Sequence, residues 1–405
     1  MSTPARIYRL GMDVVIVGAS LAGLRAAEAL RREGLDGRIT VVGAETHRPY
    51  DRPPLSKQVL AGTMEVEATQ LRVDEGIDVE WRLGTRATGL DLDRRRLLLG
   101  RDDLPFDGLI VATGAHPRRL PGLPDLDGVH VLRTLDDCVA LRQDLRRGPK
   151  VAVVGAGFIG AEVAATCHAL GLDVTVIEAL PVPMVRAIGE EMGRRCARLH
   201  TDNGVAVRFG VGVRSLAGTT RVEGVRLDDA SVVPADVVVI GIGVAPSTGW
   251  LEGSGLDLDN GVACDMWCRA QAGGQPVPGI VAAGDVANWH HRARGHAMRV
   301  EHWTNAIEQA EAAAATLVRG EEAAPFEPVP YFWSDQYGTK IQFVGEARPG
   351  DEIAVLDGSL DEDRFVVGWG RDGRLVGALG FSRPAKIMRY RTMIESGAPW
   401  PLEAT

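Results

Sequence analysis

Two glycine-rich stretches carry the residue types and spacing that bind phosphate. Val151-Ala-Val-Val-Gly155-Ala-Gly157-Phe-Ile-Gly160-Ala-Glu162 reads as an apolar strand, a glycine turn and the opening of a helix. In that arrangement backbone N–H groups at the helix N-terminus converge on a pyrophosphate, and the aligned peptide dipoles favour its charge. Gly155 permits the tight turn, Gly157 lets the backbone approach the phosphates, and Gly160 lets the helix lie close to the strand. A second strand, Asp173-Val-Thr-Val-Ile-Glu178, ends in an acid 23 residues after Gly155, where a carboxylate accepts a hydrogen bond from an adenosine ribose hydroxyl.

The same unit occurs earlier in the chain. Asp13-Val-Val-Ile-Val-Gly18-Ala-Ser20-Leu-Ala-Gly23 is a strand and turn, Leu24 to Arg32 a helix, and Arg38-Ile-Thr-Val-Val-Gly43-Ala-Glu45 a second strand with an acid beyond it. Ser20 stands at the middle glycine position. Its side chain is small enough to keep the turn, and its hydroxyl can donate to a phosphate. A strand–helix turn without a ligand is the plainer alternative for either copy. Two such units imply two dinucleotides, and hence a flavin paired with a nicotinamide.

The elements around these loops suggest nested domains. Leu109-Ile-Val-Ala112-Thr113-Gly114 and Val237-Val-Val-Ile-Gly-Ile-Gly243 are apolar strands that break at small residues, which suits crossings where a nucleotide lies against backbone, or simply buried strand ends. The second glycine loop lies between them. Residues 117–243 are therefore expected to be one domain inserted into another, made of residues 1–116 and 244–325. From 326 the pattern changes to alternating strands with a terminal basic helix, a third domain over 326–405. The expected fold is α/β, with two Rossmann-like dinucleotide-binding domains and a C-terminal α+β domain.

Three further stretches stand out. Arg48-Pro-Tyr-Asp-Arg52-Pro-Pro-Leu-Ser-Lys57 combines rigid prolines with a lysine at the start of a helix; by residue statistics alone it is a surface connector. Pro278-Gly-Ile-Val-Ala-Ala-Gly-Asp285 is a strand ending in an aspartate suited to polyol hydroxyls or to a helix cap. Arg299-Val-Glu301-His-Trp303 opens a long alanine-rich helix running to about Arg319. The basic run Asp93 to Arg96 reads as a solvated hairpin.

Composition sets the outer bounds. The chain has 405 residues, 45% hydrophobic and 24% charged, with a formal net charge of −9, which argues against general nucleic-acid binding. No apolar run reaches the roughly 18 to 20 residues that span a bilayer, and the N-terminus has no secretory pattern, so no membrane association and a cytoplasmic location are expected. The five cysteines are odd in number and form no CxxC pair, which suits a reducing compartment and offers no metal site. Residues 45–62 contain no cysteine. A disulfide reductase or thiol peroxidase on this plan would carry its redox thiol there, so those chemistries are disfavoured.

Taken together, Tyr50-Asp-Arg-Pro-Pro-Leu-Ser-Lys57, Arg299-Val-Glu-His-Trp303 and Pro330-Tyr-Phe-Trp333-Ser-Asp-Gln336 resemble the FAD-dependent ferredoxin reductases of oxygenase systems, the family of putidaredoxin reductase and the biphenyl dioxygenase reductase component. The resemblance covers roughly residues 12–395. It implies the glutathione-reductase fold type, with a discontinuous FAD domain and an inserted NAD domain. It further implies FAD along Gly18, Ser20, Gly23 and Glu45, close to Ala112 and Gly114, with Asp285 on the ribityl chain. Arg52 belongs to the motif as a phosphate or loop-locking contact. Lys57 would stand near flavin N5 and pair with Glu162, the two catalytic candidates. Trp303 and Trp333 would flank the isoalloxazine, and Glu301 would face the nicotinamide carboxamide. NAD would take Gly155, Gly157, Gly160, Glu162, Glu178 and Gly243.

Two departures from the family pattern matter. Ser20 replaces glycine, and Ala44 stands where many relatives have an acid, so the FAD ribose rests on Glu45. Ala179 follows Glu178 with no adjacent Arg or Lys to hold a 2′-phosphate, and Glu178 would repel one, so NADH is expected over NADPH. The implied activity is hydride transfer from NADH to FAD, followed by single-electron transfer to a small [2Fe–2S]-type ferredoxin serving a cytochrome P450 or dioxygenase. The protein would be a monomer or weak homodimer. Arg383, Lys386, Arg389 and Arg391, or else Arg292 and Arg294, are candidates for a basic docking face, with scattered solvated arginines as the plainer alternative. Other acceptors on the same plan are a rubredoxin or a nitrite reductase. A non-enzymatic alternative is an NADH sensor like apoptosis-inducing factor.

Overall fold

The apolar runs around the first glycine loop become central parallel strands because they are buried on both faces, where β-branched side chains pack well. The computed structural model describes residues 11–122 and 124–402. The first ten residues, on which the expectation about a secretory signal largely rests, lie outside the described residues. The chain divides into two compact units. One holds the chain up to Asp51, Gln70–His116 and Ala245–Pro330; the other holds Arg52–Thr69, Pro117–Val244 and the chain from Tyr331 onward.

In the first unit Val14–Val17 pairs in parallel with Ile39–Val42 on one side and Gly108–Val111 on the other. These strands are wholly buried at every position. They lie within a nine-stranded sheet that also takes in Gln275–Ala282 beside Gly108–Val111. Helices Leu21–Arg32 and Trp303–Arg319 pack on it through Ala26, Ala27, Leu30, Ala310, Ala313 and Ala314. The first helix begins at Leu21 rather than Leu24, so Gly23 lies inside its first turn. The basic run is only partly solvated. Arg94 is exposed, but the guanidinium of Arg95 donates to the carbonyls of Pro278 at 3.1 Å and Asp107, and Arg96 pairs with Asp103.

The second unit contains a five-stranded parallel sheet with Val151–Val154 at its centre, between Val174–Glu178 and Val237–Ile240. Its C-terminal portion is a five-stranded antiparallel sheet in the order Tyr331–Gln336, Thr339–Gly345, Arg374–Phe381, Arg364–Arg371, Glu352–Ser359, with helix Pro384–Glu395 against it. Glu352–Ser359 was not foreseen. It is an edge strand with a bulge near Asp357 and exposed Ile353 and Val355, so alternation is blurred. Ile188, Met192, Cys196 and Leu199 of helix Val185–Asp202 share a core with Phe332, Phe343, Phe365 and Trp369 of that sheet. Among the described residues no helix is long and apolar enough to cross a membrane.

One polar contact sits in that shared core. His200 is fully buried, with Nδ1 2.7 Å from the Tyr337 hydroxyl, and burial pulls its pKa down to about 4. In an unfolded chain a histidine titrates near 6.5. The unfolded state thus binds more protons as pH falls from about 6.5 to 4, and stability drops across that window by up to about 1.4 kcal/mol per pH unit. His200→Gln is expected to flatten the fall of melting temperature between pH 6.5 and 4.5. An unchanged slope in calorimetry would assign the acid sensitivity to other groups.

Candidate functional site

In the first unit the glycines of the turn are dictated by backbone crowding. Gly18 has φ +126°, and a Cβ there would lie 2.1 Å from the Ala112 carbonyl oxygen; one at Gly23 would lie 1.8 Å from the Gly18 oxygen. Ser20 caps helix Leu21–Arg32 with extended backbone, makes no side-chain capping bond to it, and is followed by no acid in the first turn. The helix N-terminus therefore keeps its positive end for an anion. Beyond the second strand, half-buried Glu45 accepts a hydrogen bond from the Tyr50 hydroxyl.

The neighbouring strand ends in this unit are equally constrained. The Ala112 N–H donates to the Val17 carbonyl at 2.8 Å, and the Gly114 carbonyl accepts from the Ser247 N–H at 2.9 Å. Asp285 sits in the 3-10 turn Gly284–Val286, whose Gly284 N–H donates to Gln309 Oε1 at 2.9 Å. Glu301 is ion-paired with Arg299 at 2.6 Å, and Arg299 in turn donates to the Asp285 carbonyl at 3.0 Å. His302 caps helix Trp303–Arg319 and is kept neutral by burial, with its pKa at about 4. Trp303 Nε1 donates to Asp51 Oδ1 at 2.7 Å.

The second glycine turn, in the other unit, shows the same crowding at two positions and its absence at a third. A Cβ on Gly155 (φ +98°) would lie 2.3 Å from the Gly241 oxygen, and one on Gly160 2.0 Å from the Gly155 oxygen. A Cβ on Gly157 would meet no protein atom within 4 Å. Packing therefore does not require glycine at 157, and helix Phe158–Ala169 has no acid in its first turn, which suits the approach of a phosphate. Glu178 is anchored at the turn by the N–H groups of Ala156 at 2.8 Å and Leu180 at 2.9 Å. Each of its oxygens retains a lone pair for a ribose hydroxyl. Gly243 (φ +91°) also borders open space, and its carbonyl accepts from the Arg118 N–H at 2.9 Å.

A largely buried ion pair lies in this second unit. Prolines 53 and 54 start the 3-10 turn Pro53–Ser56, and Lys57 forms the joint with the short helix Gln58–Ala61. Lys57 Nζ donates to Glu162 Oε2 at 2.7 Å, and the Ser56 hydroxyl to the same oxygen at 2.5 Å. Ser334 donates to Glu162 Oε1 at 2.9 Å, with the Asp335 N–H at 3.4 Å. Glu162 is only 5% exposed, so these charge-assisted bonds offset its loss of water. Thr166 fixes the loop by donating to the Ser56 carbonyl at 2.7 Å, and Arg52 by donating to that of Arg133 at 2.6 Å. Trp333 is half-buried and stacks on Tyr331, ring centroids 5.8 Å apart.

Ser56, Thr166, Ser334 and the Asp335 N–H escaped sequence reasoning. The available signal was polar Ser334 and Gln336 at the inward positions of a strand whose other inward residue is Phe332. Of the basic docking candidates, Arg292 pairs with Glu327, Arg383 and Lys386 with Asp357, and Arg391 with Glu395, while Arg389 is exposed. All five cysteines are buried and unpaired, and burial pushes every thiol up, to about 11 for Cys138 and about 12 for Cys167. A buried thiol whose pKa is raised holds little thiolate, the reactive form.

Residues 12–310 match the pyridine nucleotide-disulphide oxidoreductase family, and residues 331–405 the reductase C-terminal family. The chain belongs to the pyridine nucleotide-disulphide oxidoreductases and carries the reductase C-terminal domain. It is 36% identical over 395 residues to rhodocoxin reductase of Rhodococcus erythropolis, covering 96% of this chain and 90% of that protein. It is 37% identical over 391 residues to the ferredoxin–NAD(+) reductase component of the anthranilate 1,2-dioxygenase system of Burkholderia cepacia, covering 95% and 94%. The reductase in the covalent putidaredoxin reductase–putidaredoxin complex superposes with a TM-score of 0.90 at 32% identity, over 96% of this chain and 94% of that one.

The contrast between two glycines can be measured. Gly160→Ala would drive a Cβ into backbone and is expected to lower the melting temperature by several degrees, a loss on the order of 2 kcal/mol or more. Gly157→Ala is expected to leave the melting temperature within about a degree while weakening NADH binding about tenfold. Equal destabilisation by both would mean that packing, not a ligand, demands Gly157.

Proposed function

We propose that this chain is an NADH-dependent FAD flavoprotein that delivers electrons to a ferredoxin of the [2Fe–2S] type, which in turn serves a cytochrome P450 or a dioxygenase. The observation that carries the proposal is the largely buried Lys57–Glu162 pair, 2.7 Å apart. It joins a cysteine-free proline loop to the helix that follows a dinucleotide cradle. A disulfide reductase needs a thiol in that loop; this chain offers a held cation instead. The names of several relatives pair reductase components with ferredoxins.

The residues fit both nucleotides. The N–H groups after Gly18, with the Ser20 hydroxyl, would hold the FAD pyrophosphate, Glu45 the adenosine ribose and Asp285 the ribityl hydroxyls. Ala112 and Gly114 would border FAD through their backbone, Arg52 would brace the loop or reach a phosphate, and Trp303 and Trp333 would supply aromatic flanks. For NADH, Gly155, Gly157, Gly160 and Gly243 would admit the pyrophosphate and its neighbours, Glu178 the ribose, and Glu301 the carboxamide.

Bound FAD supplies hydride acceptance from NADH and release of electrons one at a time. The protein supplies position and charge. Lys57 would stand near the N5 edge of the flavin, where its ammonium would stabilise negative charge, and Glu162 would hold that ammonium in one orientation. No side chain serves as a nucleophile. Glu178 favours NADH because a 2′-phosphate would meet a carboxylate. The assembly is proposed to act in the cytoplasm as a monomer or weak homodimer, in keeping with five unpaired cysteines.

Purified protein is expected to be yellow, to bleach with NADH anaerobically, and to turn over rapidly only when a ferredoxin is added with cytochrome c as reporter. Protein that cannot be loaded with FAD would overturn the assignment. A long-lived NADH complex without ferredoxin turnover would favour the sensor alternative. Glu178→Ala is expected to raise KM for NADH about tenfold and narrow the preference over NADPH, the effect of losing a hydrogen bond to a charged group. Wild-type protein using NADPH equally well would refute the role of Glu178.

A further inference from the structure

The two oxygens of the Glu162 carboxylate are served by different stretches of chain. Oε2 receives Lys57 Nζ and the Ser56 hydroxyl, whereas Oε1 receives the Ser334 hydroxyl at 2.9 Å and the Asp335 N–H at 3.4 Å. Ser334 is fully buried, and its oxygen accepts from Gln336 Nε2 at 3.1 Å, which leaves its single hydrogen for Glu162. Gln336 is itself 0% exposed. The terminal torsion of a glutamate is broad and roughly two-fold, with no strong preference of its own. The donors on the two oxygens therefore fix which way Oε2 points, and Ser334 is the nearer of the two on Oε1.

We propose that Ser334 is a positioning residue for hydride transfer: by holding Oε1 it keeps Oε2 on Lys57 and so fixes the Lys57 ammonium. The C-terminal sheet thereby acts on the NADH half of the reaction, independently of where the electron acceptor docks. This rests on the role assigned to Lys57 under Proposed function, and the two can fail separately.

The chain has four lysines, Lys57, Lys150, Lys340 and Lys386. Acetylation of the purified flavoprotein with a limiting N-hydroxysuccinimide ester, read by mass spectrometry, compares Lys57 with exposed Lys150 as internal standard. An ammonium held by a carboxylate is a poor nucleophile, so Lys57 should label slowly in the wild type. Ser334→Ala is expected to raise Lys57 labelling relative to Lys150 about threefold to tenfold, the scale of one ordinary lost hydrogen bond. The limiting rate of flavin reduction by NADH, measured without ferredoxin, should fall by a similar factor, while Kd for NADH changes less than about twofold. Ser334→Thr, which keeps a hydroxyl, should restore both. In a Lys57→Met background, Ser334→Ala should add almost nothing to the rate loss. If Lys57→Met leaves the limiting rate unchanged, the role of Lys57 is wrong. If it slows the rate but Ser334→Ala changes neither labelling nor rate, or costs the same factor in both backgrounds, the positioning role of Ser334 is wrong.

Discussion

A carboxylate at 5% exposure must be supplied with donors, because removing it from water costs several kcal/mol that only close partners offset. Glu162 meets that demand with side chains 105, 106 and 172 residues away in sequence. Once it is buried on helix Phe158–Ala169, the loop holding Ser56 and Lys57 and the strand holding Ser334 must both come to it. That requirement is a physical reason for Arg52–Thr69 to leave the sequence neighbours on either side of it and join Pro117–Val244 and the chain from Tyr331 in one compact unit. The expected nested bounds, 1–116 and 244–325 around an inserted 117–243 and followed by 326–405, place residues 52–69 in the first domain, since nothing in their composition marks a change of unit.

The two glycine turns show how the same backbone problem is solved with different freedom. At Gly18, Gly23, Gly155 and Gly160 the nearest obstacle to a side chain is a carbonyl oxygen about 2 Å away, so the fold itself excludes every other residue. The middle position is different. Ser20 occupies it in one copy, while Gly157 faces open space in the other. Packing does not demand glycine at 157, so that position is the informative one in the second turn. Both helices also begin without an acid in their first turn, which leaves the positive end of each dipole uncompensated by side chains of that turn.

The parallel strands and their turns were legible because burial on both faces yields unbroken apolar runs and backbone crowding enforces glycine. The helix after Trp303 was legible from its alanine content. The Lys57–Glu162 pair was reached through family resemblance, since no local periodicity links residues so far apart. The hydroxyls of Ser56 and Ser334 were invisible for a related reason: serine suits strands, turns and caps alike, and only three-dimensional proximity gives it a partner. Arg95 illustrates the converse. Within a basic run it reads as solvated, yet it donates to backbone carbonyls of Pro278 and Asp107, because an arginine can snorkel to distant acceptors along its apolar stem.

Register in the C-terminal sheet carries more than packing. In Tyr331–Gln336 the even positions Phe332, Ser334 and Gln336 are buried, while the odd positions Tyr331, Trp333 and Asp335 are half-buried. Pairing of Trp333 with Gln342 and Ser334 with Ile341 sets that alternation. A slip of one residue would exchange the two faces, sending Ser334 away from Glu162 and Trp333 into the core. Phe332 resists such a slip, stacked on Phe343 and packed 4.3 Å from Phe158 at the start of the cradle helix. The aromatic contact that fixes register is therefore two residues from the hydroxyl that fixes the carboxylate. Apolar packing at Phe332 supplies the affinity that holds strand to helix, and Ser334 uses the resulting alignment for a polar contact that tolerates little displacement.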